Sequence, residues 1–167
     1  MEDRATPQHV PGKAAIGEIL IREYRDEDWR AVCAIHDRAR PDELRGSCDP
    51  RAFVPLAADL EDAANFQRSR KFVACLDGQI VGFVGVDGTY LSWLYVDPSH
   101  YGKGIGRRLL RYGVALIRPQ AWTVALSGNT RVRHLYETEG FQVGRIFQGD
   151  NAGYPCMCVE LALNPRQ

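Results

Sequence analysis

The amino-acid sequence predicts a mixed α/β domain built on one central sheet. Three observations carry that reading. Residues 71–96 hold three apolar runs separated by Asp77-Gly78 and Asp87-Gly88, the mark of an antiparallel meander. Two amphipathic stretches, 105–117 and 130–139, then alternate with further short apolar runs. A chain of 167 residues, 45% hydrophobic and 25% charged, suffices for a single compact domain with a core that needs no disulfide staples.

Residues 1–17 mix Pro7, Pro11, Gly12 and charges without periodicity and read as a flexible tail, leaving 18–167 as the domain. Ile19 to Tyr24 is a strand. Asp26 caps a helix with Val32, Ile35 and Ala39 at helical spacing, running to about Arg40, where Pro41 stops it. Residues 42–68 break into turns and short helical pieces at Gly46, Asp49-Pro50 and Pro55. Phe72 to Leu76, Ile80 to Val86 and Tyr90 to Val96 form the meander. Ile105, Leu109, Leu110, Val114 and Ile117 mark a helix closed before Pro119, and Trp122 to Leu126 is a short strand. Thr130 to Glu139 is a helix ended by Gly140, and Phe141 to Phe147 and Pro155 to Leu163 supply the last strands.

Lysine plus arginine number 21 and aspartate plus glutamate 21, so a bulk nucleic-acid binder is not expected. No apolar run has the length of a membrane span, and the first residues lack a signal peptide's apolar stretch. Cys33, Cys48, Cys75, Cys156 and Cys158 contain no CxxC and read as reduced thiols of a cytoplasmic protein. The histidines His9, His36, His100 and His134 show no ligand spacing, so no metal site is expected.

The chemistry concentrates in Tyr101-Gly102-Lys103-Gly104-Ile105-Gly106-Arg107-Arg108, which joins the third meander strand directly to a helix. Such a turn exposes successive backbone N–H groups at the positive end of the helix dipole, a site for phosphate or diphosphate. No serine or threonine follows Lys103 as a Walker A loop requires, and Arg107 stands where the dinucleotide fingerprint needs glycine.

Val96-Asp97-Pro98, the turn Tyr101 to Gly106 and Leu109-Leu110 resemble the acyl-CoA-binding motif of the GNAT superfamily of N-acetyltransferases. Gly104 and Gly106 match it, and Tyr101 stands where glutamine or arginine is usual. Asn129 to Tyr136, with Glu137 and Gly140-Phe141, resembles the family's later motif. The resemblance implies a mostly antiparallel mixed sheet of about six to seven strands, splayed between two central ones. It implies an acetyl-CoA-dependent N-acyltransferase, with direct attack by a primary amine in a ternary complex. A non-catalytic acyl-CoA-binding module is the alternative.

By the same resemblance, backbone at Leu94, Tyr95 and Val96 pairs with pantetheine, and Tyr101, Gly102, Lys103, Gly104, Ile105, Gly106 and Arg107 surround the diphosphate. Asn129 is a further cofactor contact or a helix cap. Tyr136 is the proton donor to the departing thiolate or a packing residue. The acceptor is a small-molecule or peptide amine, and a homodimer fits an exposed sheet edge. No general base is assignable, because Tyr90 to Val96 carries no carboxylate. Asp42 and Glu43 read as a solvated loop or as a recognition site for a cation. Leu91, Trp93 and Tyr95 share one side of a regular strand and line either the acceptor pocket or the core.

Overall fold

The computed structural model describes residues 17–165. The tail expected over residues 1–17 lies outside them except for Gly17. The elements run β1 (Ile19–Glu23), α1 (Trp29–Leu44), α2 (Leu60–Arg68), β2 (Arg70–Leu76), β3 (Gln79–Asp87), β4 (Tyr90–Val96), α3 (Ile105–Ile117), β5 (Trp122–Leu126), α4 (Thr130–Thr138), β6 (Gln142–Asn151) and β7 (Tyr154–Ala162). One-turn 3₁₀ helices precede α1, α2 and α3. The strands form a single seven-stranded sheet in the order β1-β2-β3-β4-β5-β7-β6, antiparallel throughout except between β4 and β5.

Helices cover both faces. On one face, Ile105, Leu109, Leu110 and Val114 of α3 and Tyr136 of α4 bury against Val84, Leu91, Ala125 and Leu161. On the other, the apolar packing is divided. Val32 and Ile35 of α1 and Phe66 of α2 pack on Val73, Phe83 and Trp93. Leu44, at the end of α1, packs with Ala52, Leu126, Cys156 and Cys158. The seam between these two clusters follows the line where β4 meets β5.

Pro41 does not stop α1, as its sequence position predicted; the helix continues through it to Leu44. A proline in a helix interior removes one backbone hydrogen bond, at a cost of about 3 kcal/mol. Burial of Leu44 to 1% exposure and the Arg40–Glu43 ion pair at 2.8 Å, one turn apart on the same helix, hold the last turn against that cost. Glu43 therefore sits on a helix, not in a loop.

A bulge supplies a second correction. Gly85 pairs with Trp93 and Val86 with Leu91, so Ser92 is an extra residue in β4. The alternation of faces slips there. Leu91 points into the α3 side, whereas Trp93 and Tyr95 point toward α1 and its neighbours. Cys48 and Cys156 are disulfide-bonded across a Cα–Cα distance of 4.7 Å, while Cys33, Cys75 and Cys158 are free, so the reading of all five cysteines as thiols fails for this pair. They lie 108 residues apart, and only the pairing of β7 beside β5 brings them together. No described helix is long and apolar enough to cross a membrane, and no group of metal-ligating side chains occurs among the described residues.

The start of α1 is pinned by Asp28, buried to 4% exposure. Its carboxylate accepts from both terminal nitrogens of Arg22 at 2.7 and 2.9 Å and from the Arg25 N–H at 2.8 Å. The hydrogen bonds from Arg22 hold the Asp28 carboxyl below its ordinary value of 3.8. A carboxyl lowered on folding stabilises the protein above its unfolded value and loses that contribution as pH falls through the folded one. Asp28→Asn is expected to cost about 2 kcal/mol at neutral pH. In urea titrations the gap to wild type should shrink below about pH 4; a gap independent of pH would contradict this assignment.

Candidate active site

The central feature is the parting of β4 from β5. These parallel strands share one residue pair, Tyr90 with Trp122, and then diverge. Two contacts secure the apex: Trp122 N–H donates to Thr89 O at 3.1 Å, and Thr123 Oγ1 donates to Leu91 O at 2.9 Å. Beyond it, the main chain of β4 has β3 on one side and a gap on the other.

The geometry distinguishes the residues of that edge. Asp97 N–H donates to Val81 O at 2.8 Å, and Tyr95 O lies 2.8 Å from the position a Cβ on Gly82 would occupy. Asp97 and Tyr95 thus turn their backbone groups toward β3. By the two-residue alternation of a strand, Leu94 and Val96 turn theirs into the gap. Leu94 and Val96 are placed as the sequence predicts, whereas the Tyr95 backbone faces away and its side chain does something else.

Immediately after β4, Asp97 caps a 3₁₀ turn by accepting from Ser99 N–H at 3.0 Å and pairs with Arg38 of α1. The glycine turn follows. Gly102 and Gly104 adopt φ values of +76° and +78°, in the left-handed region that favours glycine, and no atom lies within 4 Å of a Cβ placed on either. Gly104 is the N-cap of α3, and Arg108 N–H closes the first helical turn onto Gly104 O at 3.2 Å. The amides of Ile105, Gly106 and Arg107 precede that bond and have no helical carbonyl to meet. Backbone donors, open space above them and a helix dipole coincide, which fits a diphosphate.

The side chains around the turn are more committed. Ile105 is buried in the core at 1% exposure and contributes only its amide. Gly106 packs against Leu135 and Val96, whose atoms lie 3.5 and 3.6 Å from its would-be Cβ. Lys103 is exposed. The Arg107 guanidinium turns to α4, where it pairs with Glu139 and donates to Thr138 Oγ1 at 3.1 Å. These contacts bridge α3 and α4. Tyr101 lies under the Arg131 guanidinium, 3.4 Å from ring centroid to carbon, and its hydroxyl donates to Asp42 Oδ2 at 3.4 Å. It joins the glycine turn to the starts and ends of α4 and α1.

On α4, Asn129 accepts from Val132 N–H at 3.4 Å and serves as the helix cap. Tyr136 is buried at 4% exposure, its ring against Phe141 and its hydroxyl at Thr123, the residue that secures the apex. Burial pushes its phenol well above the ordinary value, so the group is neutral throughout the working pH range.

Across the gap, on the α1 side, Tyr95 and Glu43 meet Arg40, which the sequence did not single out. The Tyr95 hydroxyl donates to Glu43 Oε2, and Arg40 Nη1 meets the same oxygen at 2.8 Å. Arg40 Nη2 also donates to Asn151 Oδ1, at 2.6 Å, at the end of β6. Burial, and next the Glu43 charge, push the Tyr95 phenol well above its ordinary value. The charge of Glu43 reaches both Tyr90 and Tyr136. His36 is buried at 2% exposure with its ring 5.1 Å from that of Tyr95.

The acetyltransferase (GNAT) domain family matches residues 67–143 of the chain. The peptidyl-lysine N-acetyltransferase YjaB of Escherichia coli (strain K12) is 30% identical over 158 residues, covering 86% of this chain and 96% of the relative. The chain belongs to the GNAT acetyltransferase family. A GCN5-related N-acetyltransferase from Rhodopseudomonas palustris shares the fold at a TM-score of 0.74, with 20% identity over 90% of this chain and 98% of the other. The yncA acetyltransferase of Salmonella typhimurium, a structure with its cofactor acetyl-CoA, superposes at a TM-score of 0.64, with 20% identity over 90% of this chain and 97% of that one.

Within this GNAT chain, the close approach of β3 to β4 depends on Gly82. A Cβ there would stand 2.8 Å from Tyr95 O and 2.9 Å from Leu109 Cδ1. Gly82→Ala is expected to lower the unfolding free energy by about 1–3 kcal/mol, measured by denaturant titration. A neutral result would show that the sheet beside the gap yields more easily than this packing implies.

Proposed function

We propose that the protein transfers an acetyl group from acetyl-CoA to a primary amine, which attacks the thioester directly while both substrates are bound. The single observation that carries this reading is the coincidence of the β4–β5 gap with the open glycine turn at its mouth. One accommodates a strand-like chain of amides, the other a diphosphate, and coenzyme A has both in that order. Acetyl-CoA is also the cofactor in the yncA structure.

Leu94 and Val96 would pair with the pantetheine amides and fix the thioester at the gap. The Val96 N–H is the donor best placed for the oxygen that gains negative charge on attack. The amine nitrogen forms the new C–N bond, the C–S bond breaks, and the sulfur leaves as a thiolate. Tyr136 would stabilise that thiolate through its hydroxyl. A phenol raised by burial is a weaker acid than an ordinary thiol, so full proton transfer runs uphill and a hydrogen bond is the favourable contribution. Holding both reactants in contact supplies much of the rest.

The acceptor class is suggested by the relatives. YjaB of Salmonella typhimurium, 29% identical over 87% of this chain and 90% of its own length, is a peptidyl-lysine N-acetyltransferase, as is its Escherichia coli counterpart. A lysine side chain is the first acceptor to test. With acetyl-CoA and a lysine peptide, thiol release should exceed a peptide-free control. Tyr136→Phe should lower kcat at least tenfold while the affinity for CoA, measured by calorimetry, stays unchanged. Undiminished turnover would remove Tyr136 from the mechanism. Acetyl-CoA binding with no thiol release across a panel of amines would instead favour a non-catalytic acyl-CoA-binding module.

A further inference from the structure

Glu43 has an asymmetry that its surroundings make informative. Both of its close partners, Arg40 Nη1 and the Tyr95 hydroxyl, meet Oε2. Among the described residues Oε1 accepts no hydrogen bond. The carboxylate is thus held rigidly by one oxygen, from two elements, and offers the other. Its side chain retains 23% exposure, so the position is reachable.

The charges nearby do not cancel. Asp62, on the first turn of α2, lies within electrostatic reach of Arg40, and burial raises its carboxyl above its ordinary value. Asp59 and Glu61 add negative charge behind it. Among the described residues, the Arg40 guanidinium is the cation paired with Glu43. The walls are aromatic. Tyr90 and Tyr95 both sense Glu43 and Asp62, and His36, beside Tyr95, keeps Nε2 buried without a hydrogen-bond partner among the described residues. The place is the seam between the two apolar clusters of the α1 face, and Glu43 also acts on Tyr136 across it. A site with an excess carboxylate, an unused acceptor oxygen and aromatic sides is complementary to one alkylammonium group.

We infer that Glu43 Oε1, beside Tyr95 and Arg40, is the anchor for a protonated alkylamine of the lysine side-chain type, presented to the gap from the α1 face. The inference rests on the acetyl-transfer reading for the fate of that amine, but the subsite itself is a matter of charge recognition. Arg40 and Tyr95 are its positioning residues: they fix the carboxylate through Oε2 and leave Oε1 to the ligand. The bound ammonium donates to Oε1 and is thereby positioned; its proton passes to solvent before the neutral amine, with its lone pair free, attacks the thioester.

The test uses the full chain loaded with CoA and two probes that differ only at the end of the side chain, Nα-acetyl-lysine amide and the uncharged Nα-acetyl-norleucine amide. Calorimetry should show the lysine probe binding at least tenfold more tightly than the norleucine probe. Glu43→Gln should abolish that preference with CoA affinity unchanged, the melting temperature reporting the loss of the Arg40 ion pair separately, and Asp62→Asn, on a different helix, should weaken the preference in the same direction. If Glu43→Gln fails to fold, the Asp62→Asn result decides. Equal affinity for the two probes in wild type, or an undiminished preference in the variants, overturns the subsite. Selective binding of the lysine probe without consumption of acetyl-CoA would uphold the subsite and remove the acetyl-transfer reading instead.

Discussion

The structure depends on two parallel strands that meet at one residue pair and separate. Most adjacent strands satisfy each other's backbone groups along their length; β4 and β5 do so only at Tyr90 and Trp122. An unpaired strand edge in the middle of a sheet is costly unless something else pairs with it. Local features hold it open. The bulge at Ser92 adds twist to β4 just past the apex, and Thr123 closes the apex by bonding Leu91 O. After one capped 3₁₀ turn the glycine turn follows β4, so the exposed strand edge and the exposed helix amides lie close together in the chain.

The bulge also sorts the two faces of the site. Leu91 goes to the α3 side, and Trp93 and Tyr95 go to the α1 side. As a result Tyr95 reaches Glu43 on the α1 face, while Tyr136 of α4 lies in the cluster on the opposite face. Neither phenol titrates near neutrality, because burial raises both. They act as fixed hydrogen-bond donors, and the ionised partner on the α1 side is supplied by a helix that a proline does not interrupt.

The half of the fold from β2 onward was legible because its signals are local: Asp-Gly turns, a clean amphipathic helix in α3, glycine closing α4. The glycine turn was legible for the same reason. The rest depended on tertiary effects. Pro41 reads as a stop, and the burial of Leu44 and the pairing of Glu43 explain why α1 continues, so Glu43, read as part of a solvated loop or as a cation-recognition site, lies on a helix. An extra residue at Ser92 leaves no mark in a pattern of aromatic residues, and the facing of Trp93 and Tyr95 relative to Leu91 went astray with it. Arg107 looked like a phosphate ligand by proximity in sequence, yet Glu139 lies in reach only after α4 packs beside α3. Asn129 caps α4, one of the two roles its position in the sequence offers.

Amide hydrogen exchange with and without CoA tests the central claim most directly, because it reads the backbone donors individually. Exchange at Leu94, Val96, Gly104, Ile105, Gly106 and Arg107 should slow when CoA is added, while Tyr95, already turned toward β3, should change little. Protection confined to other parts of the chain, or spread evenly along β4 without the alternation between Tyr95 and its neighbours, would contradict the account.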